Sequence, residues 1–158
     1  MKEADPLTKV AEFHRTFHHP ILSNPAIPAP ERARLRVSLI AEELKELEEA
    51  IANKDLTEVA DALCDLQYVL SGAIHEFGLS EKFPELFEEV HRSNMSKACV
   101  SEEEAEQTIQ HYLKKDNTEA YFRESDGKYL VYRKEDHKTL KSIHYQPAEL
   151  EKIIESKK

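Results

Sequence analysis

Apolar positions along the chain fall into two stretches of different period. Leu7, Val10, Phe13 and Phe17 recur at helical intervals and predict a short helix over residues 7–18. Pro20, Pro25, Pro28 and Pro30 follow. Each lacks an N–H and restricts the residue before it, so this stretch reads as an extended connector. A long helix is expected from about Glu31 to Asn53, with Leu39, Ile40, Leu44, Leu47 and Ile51 along one side. Asp55 or Thr57 can cap the next helix, which runs to about Glu76 and carries Val59, Ala62, Leu63, Leu66, Val69, Leu70 and Ala73. Gly78 is placed to end it in left-handed backbone. Another helix, over about Glu81–Lys97, bears Leu86, Phe87 and Val90.

After Cys99 the pattern changes. Ser101-Glu102-Glu103-Glu104 reads as a capped start to a helix bearing Ile109, Tyr112 and Leu113. Asp126-Gly127 then sits between Tyr121-Phe122-Arg123 and Tyr129-Leu130-Val131-Tyr132, a hairpin signal. Pro147 is expected to open a final helix with Leu150, Ile153 and Ile154. The fold class is therefore mainly α, a four-to-five-helix antiparallel bundle with a small C-terminal β-hairpin and a terminal helix. Residues 1–98 form the helical domain, and residues 99–158 a helix–hairpin–helix module packed on it.

Composition narrows the chemistry. With 22 Lys and Arg against 31 Asp and Glu, the net charge is -9, which repels phosphate backbones and argues against a nucleic-acid partner. A nucleotide ligand would need a metal ion or local basic residues. The three glycines are scattered, so neither a Rossmann GxGxxG nor a P-loop exists. Cys64 and Cys99 form no CxxC pair, which suits a reducing cytoplasm. The first residues lack a signal-peptide apolar stretch, and no window approaches the roughly 20 apolar residues of a membrane span. A soluble cytoplasmic domain, without a membrane partner, is the expectation.

Candidate chemistry lies in Glu42-Glu43-Leu44-Lys45-Glu46, in Glu58-Val59-Ala60-Asp61, and in Asp65 one turn on. On a helical wheel of about 100° per residue, Leu39, Leu47 and Ala50 flank Glu43, which lies inside the apolar stripe with Glu42 and Glu46 at its edge. Glu58, Asp61 and Asp65 share one narrow sector of the next helix, and no Lys or Arg occurs from Asp55 to Glu81. Like charges at these spacings destabilise a helix by a few tenths of a kcal/mol per pair, and desolvating unpaired carboxylates costs far more. A divalent cation removes both penalties. Hard oxygen donors without a Cys or His cluster favour Mg²⁺, with Mn²⁺ possible. The alternative is a solvated acidic face, which accounts for most EExxE strings.

These acidic motifs resemble the signature of the all-α nucleoside triphosphate pyrophosphohydrolases, the MazG-like superfamily, although only eleven residues separate Glu46 from Glu58. Phe13-His14, Glu31-Arg32, Leu35-Arg36, Glu58 to Asp65 and Glu89-Val-His-Arg-Ser-Asn-Met-Ser-Lys97 further resemble phosphoribosyl-ATP pyrophosphohydrolase-like proteins, including dUTPase-type members. The resemblance spans roughly Val10 to Lys97 and also takes in the Asp126-Gly127-Lys128 turn. It implies a Mg²⁺-dependent enzyme that cleaves a nucleoside triphosphate to monophosphate and pyrophosphate, in nucleotide-pool house-cleaning of the dUTP or dCTP type, and a homodimer. Glu43, Glu46, Glu58 and Asp61 would hold the metal. Glu42 or Asp65 would assist a second ion or orient water, and Glu42 or Glu46 would take its proton.

The same resemblance implies that Asn94 contacts the sugar or base and Lys97 a phosphate. By itself, that pair reads equally as a helix C-terminus, with Lys97 against the dipole and Asn94 as cap. His14, on the apolar side of the first helix, is either a buried core histidine or a substrate contact. Arg32 and Arg36 share the sector of Glu43 and can meet phosphate or a carboxylate; Arg36 and Asp65 complete the candidate substrate contacts. Tyr68 flanks Asp61 and Asp65 and either packs or stacks on a base. His18-His19 reads as loop. Three rivals stand: phosphoribosyl-ATP as substrate, a non-catalytic acidic helical binding protein, and a di-iron bundle. The last needs a second ExxH beyond Glu88-Glu89-Val90-His91, and none exists.

Overall fold

The computed structural model describes residues 5–156, which are mainly helical. Helix α1 (Pro6–Thr16) starts where the Asp5 carboxylate accepts from the Thr8 N–H at 3.1 Å. The proline-rich connector after it is extended. It is fastened to the end of the third helix by Leu22 N–H donating to His75 O at 3.0 Å and Ala26 N–H to Phe77 O at 3.1 Å. Helix α2 (Pro30–Asn53) begins on a proline, whose missing N–H costs nothing in a first turn.

A tight turn joins α2 to α3 (Leu56–Glu76). Lys54 takes left-handed backbone (φ 57°), its N–H donating to Ile51 O and that of Asp55 to Ala50 O, each at 3.0 Å. This is a Schellman closure. The Asp55 carboxylate then caps α3 by accepting from the N–H groups of Thr57 at 3.0 Å and Glu58 at 3.2 Å. Gly78 (φ 66°) ends α3, as its sequence position suggests. A β-carbon there would stand 1.9 Å from Asn24 O, so glycine is required twice over.

The chain divides into two compact units, one ending at Pro84 and one beginning at Glu85. In the first, α1 and α2 both pack on α3. The second holds most of α4 (Phe83–Met95), then α5 (Glu102–Asp116), β1 (Ala120–Ser125), β2 (Lys128–Arg133) and α6 (Leu150–Glu155). Ser101 caps α5, and Glu104 N–H donates to its hydroxyl at 3.2 Å. The strands pair antiparallel with Phe122 opposite Val131, closed by Asp126 (φ 50°) and Gly127 (φ 72°), the positive pair a type I′ turn demands. Beneath them Cys99, Ala105, Val131 and Leu140 form a buried cluster, joined by Ile109, Tyr112 and Phe122.

Two expectations change. The last helix begins at Leu150 rather than Pro147, because hydrogen bonds hold the intervening residues extended. Pro147 O accepts from Arg92 at 3.2 Å and Glu149 N–H donates to Glu89 at 2.9 Å. The apolar sides of α2 and α3 are also wider than the chain itself covers, since Leu44, Ile51, Leu63 and Leu70 are exposed. Among the described residues no helix is long and apolar enough to cross a membrane.

Candidate functional site

Packing of α2 on α3 decides which carboxylates are solvated. The covered side of α2 presents Arg32, Ala33, Arg36, Leu39, Ile40, Glu43, Leu47 and Ala50. Glu43 is half-buried on that stripe, as the helical wheel requires, whereas Glu42, Glu46, Glu58, Asp61 and Asp65 are exposed. Burial pushes the Glu43 carboxyl above the ordinary carboxylate range, and the charges of Glu46, Asp65, Glu42 and Asp61 push it further. Asp61 and Asp65 therefore act on Glu43 across the helix pair, and the turn at Lys54 brings the two acidic motifs together. Glu58 lies in the first turn of α3.

None of the six carboxylates has an ion-pair partner among the described residues. Lys45, which lies between them in sequence, pairs instead with Glu49 at 3.4 Å, and Glu42 accepts only from the Ser38 hydroxyl at 2.9 Å. Among the described residues no three His, Cys, Asp or Glu side chains are gathered into a ready-made ion cage. The donor set nonetheless fits a hard divalent cation: oxygen ligands only, from two facing helices, repelling one another in the absence of positive charge.

About two and three turns before Glu43, the same stripe carries the opposite charge. Arg32 and Arg36 both donate to Glu76, which is completely buried, Arg32 Nε reaching Glu76 Oε2 at 3.0 Å. Burial alone would raise the Glu76 carboxyl, but hydrogen bonds from the two guanidinium groups hold it below the ordinary range. Arg36 is thus engaged with a carboxylate, and its buried Nε has no partner. Gly72 makes room for it: a β-carbon there would stand 2.7 Å from Arg36 Nη1 and 3.0 Å from His14 Nε2. His14 is buried and its Nδ1–H donates to Pro20 O at 2.9 Å, fastening the connector. Burial lowers its pKa, so the ring is neutral. Sequence reasoning missed Glu76 and Gly72, since neither belongs to a motif.

Tyr68 is partly exposed and meets Phe13 edge-on at 5.5 Å between ring centroids. Asn94 and Lys97 lie in the second unit, at the end of α4, where the Lys97 ammonium donates to Asn94 Oδ1 at 2.7 Å.

Comparison with known proteins adds to this geometry. The family model described as phosphoribosyl-ATP pyrophosphohydrolase matches residues 10–94, from α1 into the last turn of α4 and more than half of the chain. An uncharacterized protein of Acanthamoeba polyphaga mimivirus is 26% identical, with 92% of this chain and 94% of that protein covered. That alignment runs over 236 positions, more than the 158 residues here, so it includes insertions.

Proposed function

The chain belongs to the phosphoribosyl-ATP pyrophosphohydrolase family, and on that premise we propose that it is a Mg²⁺-dependent hydrolase of nucleoside triphosphates, releasing nucleoside monophosphate and pyrophosphate. Family membership supplies the pyrophosphohydrolase chemistry of the MazG-like kind. The observation that carries the rest is Glu43, half-buried, unpaired and held above its ordinary pKa by burial and by carboxylates on both helices. A neutral binding role leaves that repulsion without purpose.

In this reading Glu43, Glu46, Glu58 and Asp61 hold the ion. When bound, Mg²⁺ neutralises the triphosphate and makes a coordinated water more acidic. Glu42 or Asp65 would assist a second ion or orient water, and Glu42 or Glu46 would accept a proton. Asp65 and Tyr68 stand one and two turns beyond Asp61 on α3, on the route to the Phe13 ring, which suits a base lying over this aromatic edge. The reading extends to a uracil or cytosine deoxynucleotide as substrate and to a cytoplasmic homodimer, with α2 and α3 as the interface.

A pyrophosphate-release assay over deoxynucleoside and nucleoside triphosphates and phosphoribosyl-ATP, with Mg²⁺, Mn²⁺ or EDTA, tests it. Turnover confined to one or two nucleotides and abolished by EDTA is expected. Turnover of phosphoribosyl-ATP alone would replace the substrate, and silence from folded protein across the panel would overturn the activity.

A further inference from the structure

Helices α2 and α3 pack together within the first unit and are fastened at both ends. At one end the turn at Lys54 ties Asp55 N–H to Ala50 O at 3.0 Å. At the other, Arg32 and Arg36 near the start of α2 both donate to Glu76, the last residue of α3, Arg32 Nε at 3.0 Å. Among the described residues these are the side-chain hydrogen bonds that cross from α2 to α3. Between the fasteners α2 covers Leu39, Ile40 and Leu47 along with Glu43, and α3 covers Val59, Ala62 and Leu66. Apolar contact of this kind is non-directional. The Glu76 contacts therefore fix how α2 is rotated at the end away from the turn. One residue of slip turns a side chain by about 100° around the helix axis, which would carry Glu43 off the covered face.

This fastener is a costly one. Glu76 is completely buried, Arg36 is 6% exposed, and the buried Arg36 Nε has no partner. Two guanidinium groups against one carboxylate leave a net positive charge there. Gly72 admits it, since a β-carbon would stand 2.7 Å from Arg36 Nη1. Well-packed apolar residues of the same volume often stabilise a fold as well as a buried ion pair does or better, whereas directional bonds favour one packing over its neighbours. The clamp is thus better suited to choosing a register than to adding stability.

We propose that Glu76, clamped by Arg32 and Arg36, is a positioning residue for the acidic cluster. It sets the rotation of α2 that keeps Glu43 on the side turned to the acidic motif of α3, and thereby the affinity of these carboxylates for a divalent cation. Arg36 stands seven residues before Glu43, about 10 Å along the helix axis, so the clamp acts through placement and not by contact with the ion. The inference rests on the reading of this cluster as a cation site.

Mn²⁺ binding to the full chain, read from the electron paramagnetic resonance signal of the free ion, tests this without substrate or turnover. Glu76→Gln should weaken binding about tenfold in protein that is still helical by circular dichroism, the scale of losing a group that orients metal ligands. Gly72→Ala displaces Arg36 without removing a charge and should weaken it in the same direction. The double variant Arg36→Met with Glu76→Met separates placement from stability. It should melt as high as wild type or higher, because apolar side chains replace the buried pair, and yet bind Mn²⁺ as weakly as Glu76→Gln. Wild-type affinity in the stable double variant would show that the clamp serves stability alone, overturning the inference and leaving the cation site standing. No saturable Mn²⁺ binding by the wild type would remove the cation site itself, and the inference with it.

Discussion

Glu43 and Glu76 are both glutamates set into helix faces that bury apolar side chains, and their surroundings send them in opposite directions. Glu43 is pushed toward its neutral form by burial and by the like charges around it. Replacing it by Gln removes a group whose ionised state the fold resists, so Glu43→Gln should melt no lower than wild type without metal. The same change should cut Mg²⁺-dependent turnover by roughly a hundredfold or more, the scale of losing one positioned electrostatic group. A fully active variant would remove Glu43 from the site. Glu76, fully buried between two guanidinium groups, behaves conversely. Glu76→Gln should cost about 3–5 kcal/mol in denaturant unfolding, as breaking a buried pair does. Its depressed pKa contributes stability that is present above the unfolded value near 4.5 and is lost as pH falls through the folded value. His14, also depressed, refuses the proton that the unfolded chain accepts below about 6.5, so acidification destabilises from there downward. Melting temperature should fall from about pH 6.5, and the more acidic part of that fall should shrink in Glu76→Gln, the remainder belonging to other depressed carboxylates such as Glu89. Glu43 was legible because its neighbours on the wheel are close in sequence. Glu76 was not, because its partners are 40 and 44 residues away.

At the scale of elements, two turns close α2 and α3 with the same left-handed geometry and different residues. Gly78 fits its turn, and its position after an apolar run marked the helix end in advance. Lys54 takes a left-handed φ of 57° with a β-carbon, a strained state for an L residue that costs about 1 kcal/mol. No residue-type signal announces it, so the sequence showed only that the turn was tight. Lys54→Gly should raise stability by several tenths to about 1 kcal/mol, because the strain removed exceeds the entropy lost by glycine on folding. Gly78→Ala should do the reverse by several kcal/mol, since its β-carbon meets backbone at Asn24 as well as positive φ. Urea melts of the two variants decide the matter, and equal, small effects would show that the turns tolerate either backbone. The coil segment bonded to α4 was likewise invisible in sequence. Arg92, Ser93 and Ser96 reach partners 50 or more residues later, and coil residues carry no period from which to read them.

Over the whole molecule, six of the exposed apolar residues fall into two regular rows. Val37, Leu44 and Ile51 recur every seven residues on α2, and Leu56, Leu63 and Leu70 do so on α3; all are exposed, from 45% for Leu70 to 79% for Leu56. Periodicity marked Leu44, Ile51, Leu63 and Leu70 as apolar positions of their helices, and nothing local could tell that the chain's own helices would leave them open. A seven-residue repeat is the spacing that keeps one seam facing a partner helix along its length. A second copy of the α2–α3 pair offers the same rows, and a two-fold axis would set each against its equivalent. Full burial of a large aliphatic side chain is worth about 1.5–3 kcal/mol, enough over six positions to oppose the loss of translational freedom on association. Leu63→Glu, in the middle of the α3 row, would place an unpaired carboxylate in that seam. Light scattering should report twice the 18.3 kDa chain mass for the wild type and the single-chain mass for Leu63→Glu, with Leu63→Met remaining dimeric. A wild type that stays at the single-chain mass through micromolar concentrations, or a dimeric Leu63→Glu, would assign the two rows to some other contact. If the dimer holds, dissociation should also lower the apparent stability of α2 and α3 with dilution, because a partner that binds only the folded state stabilises by mass action.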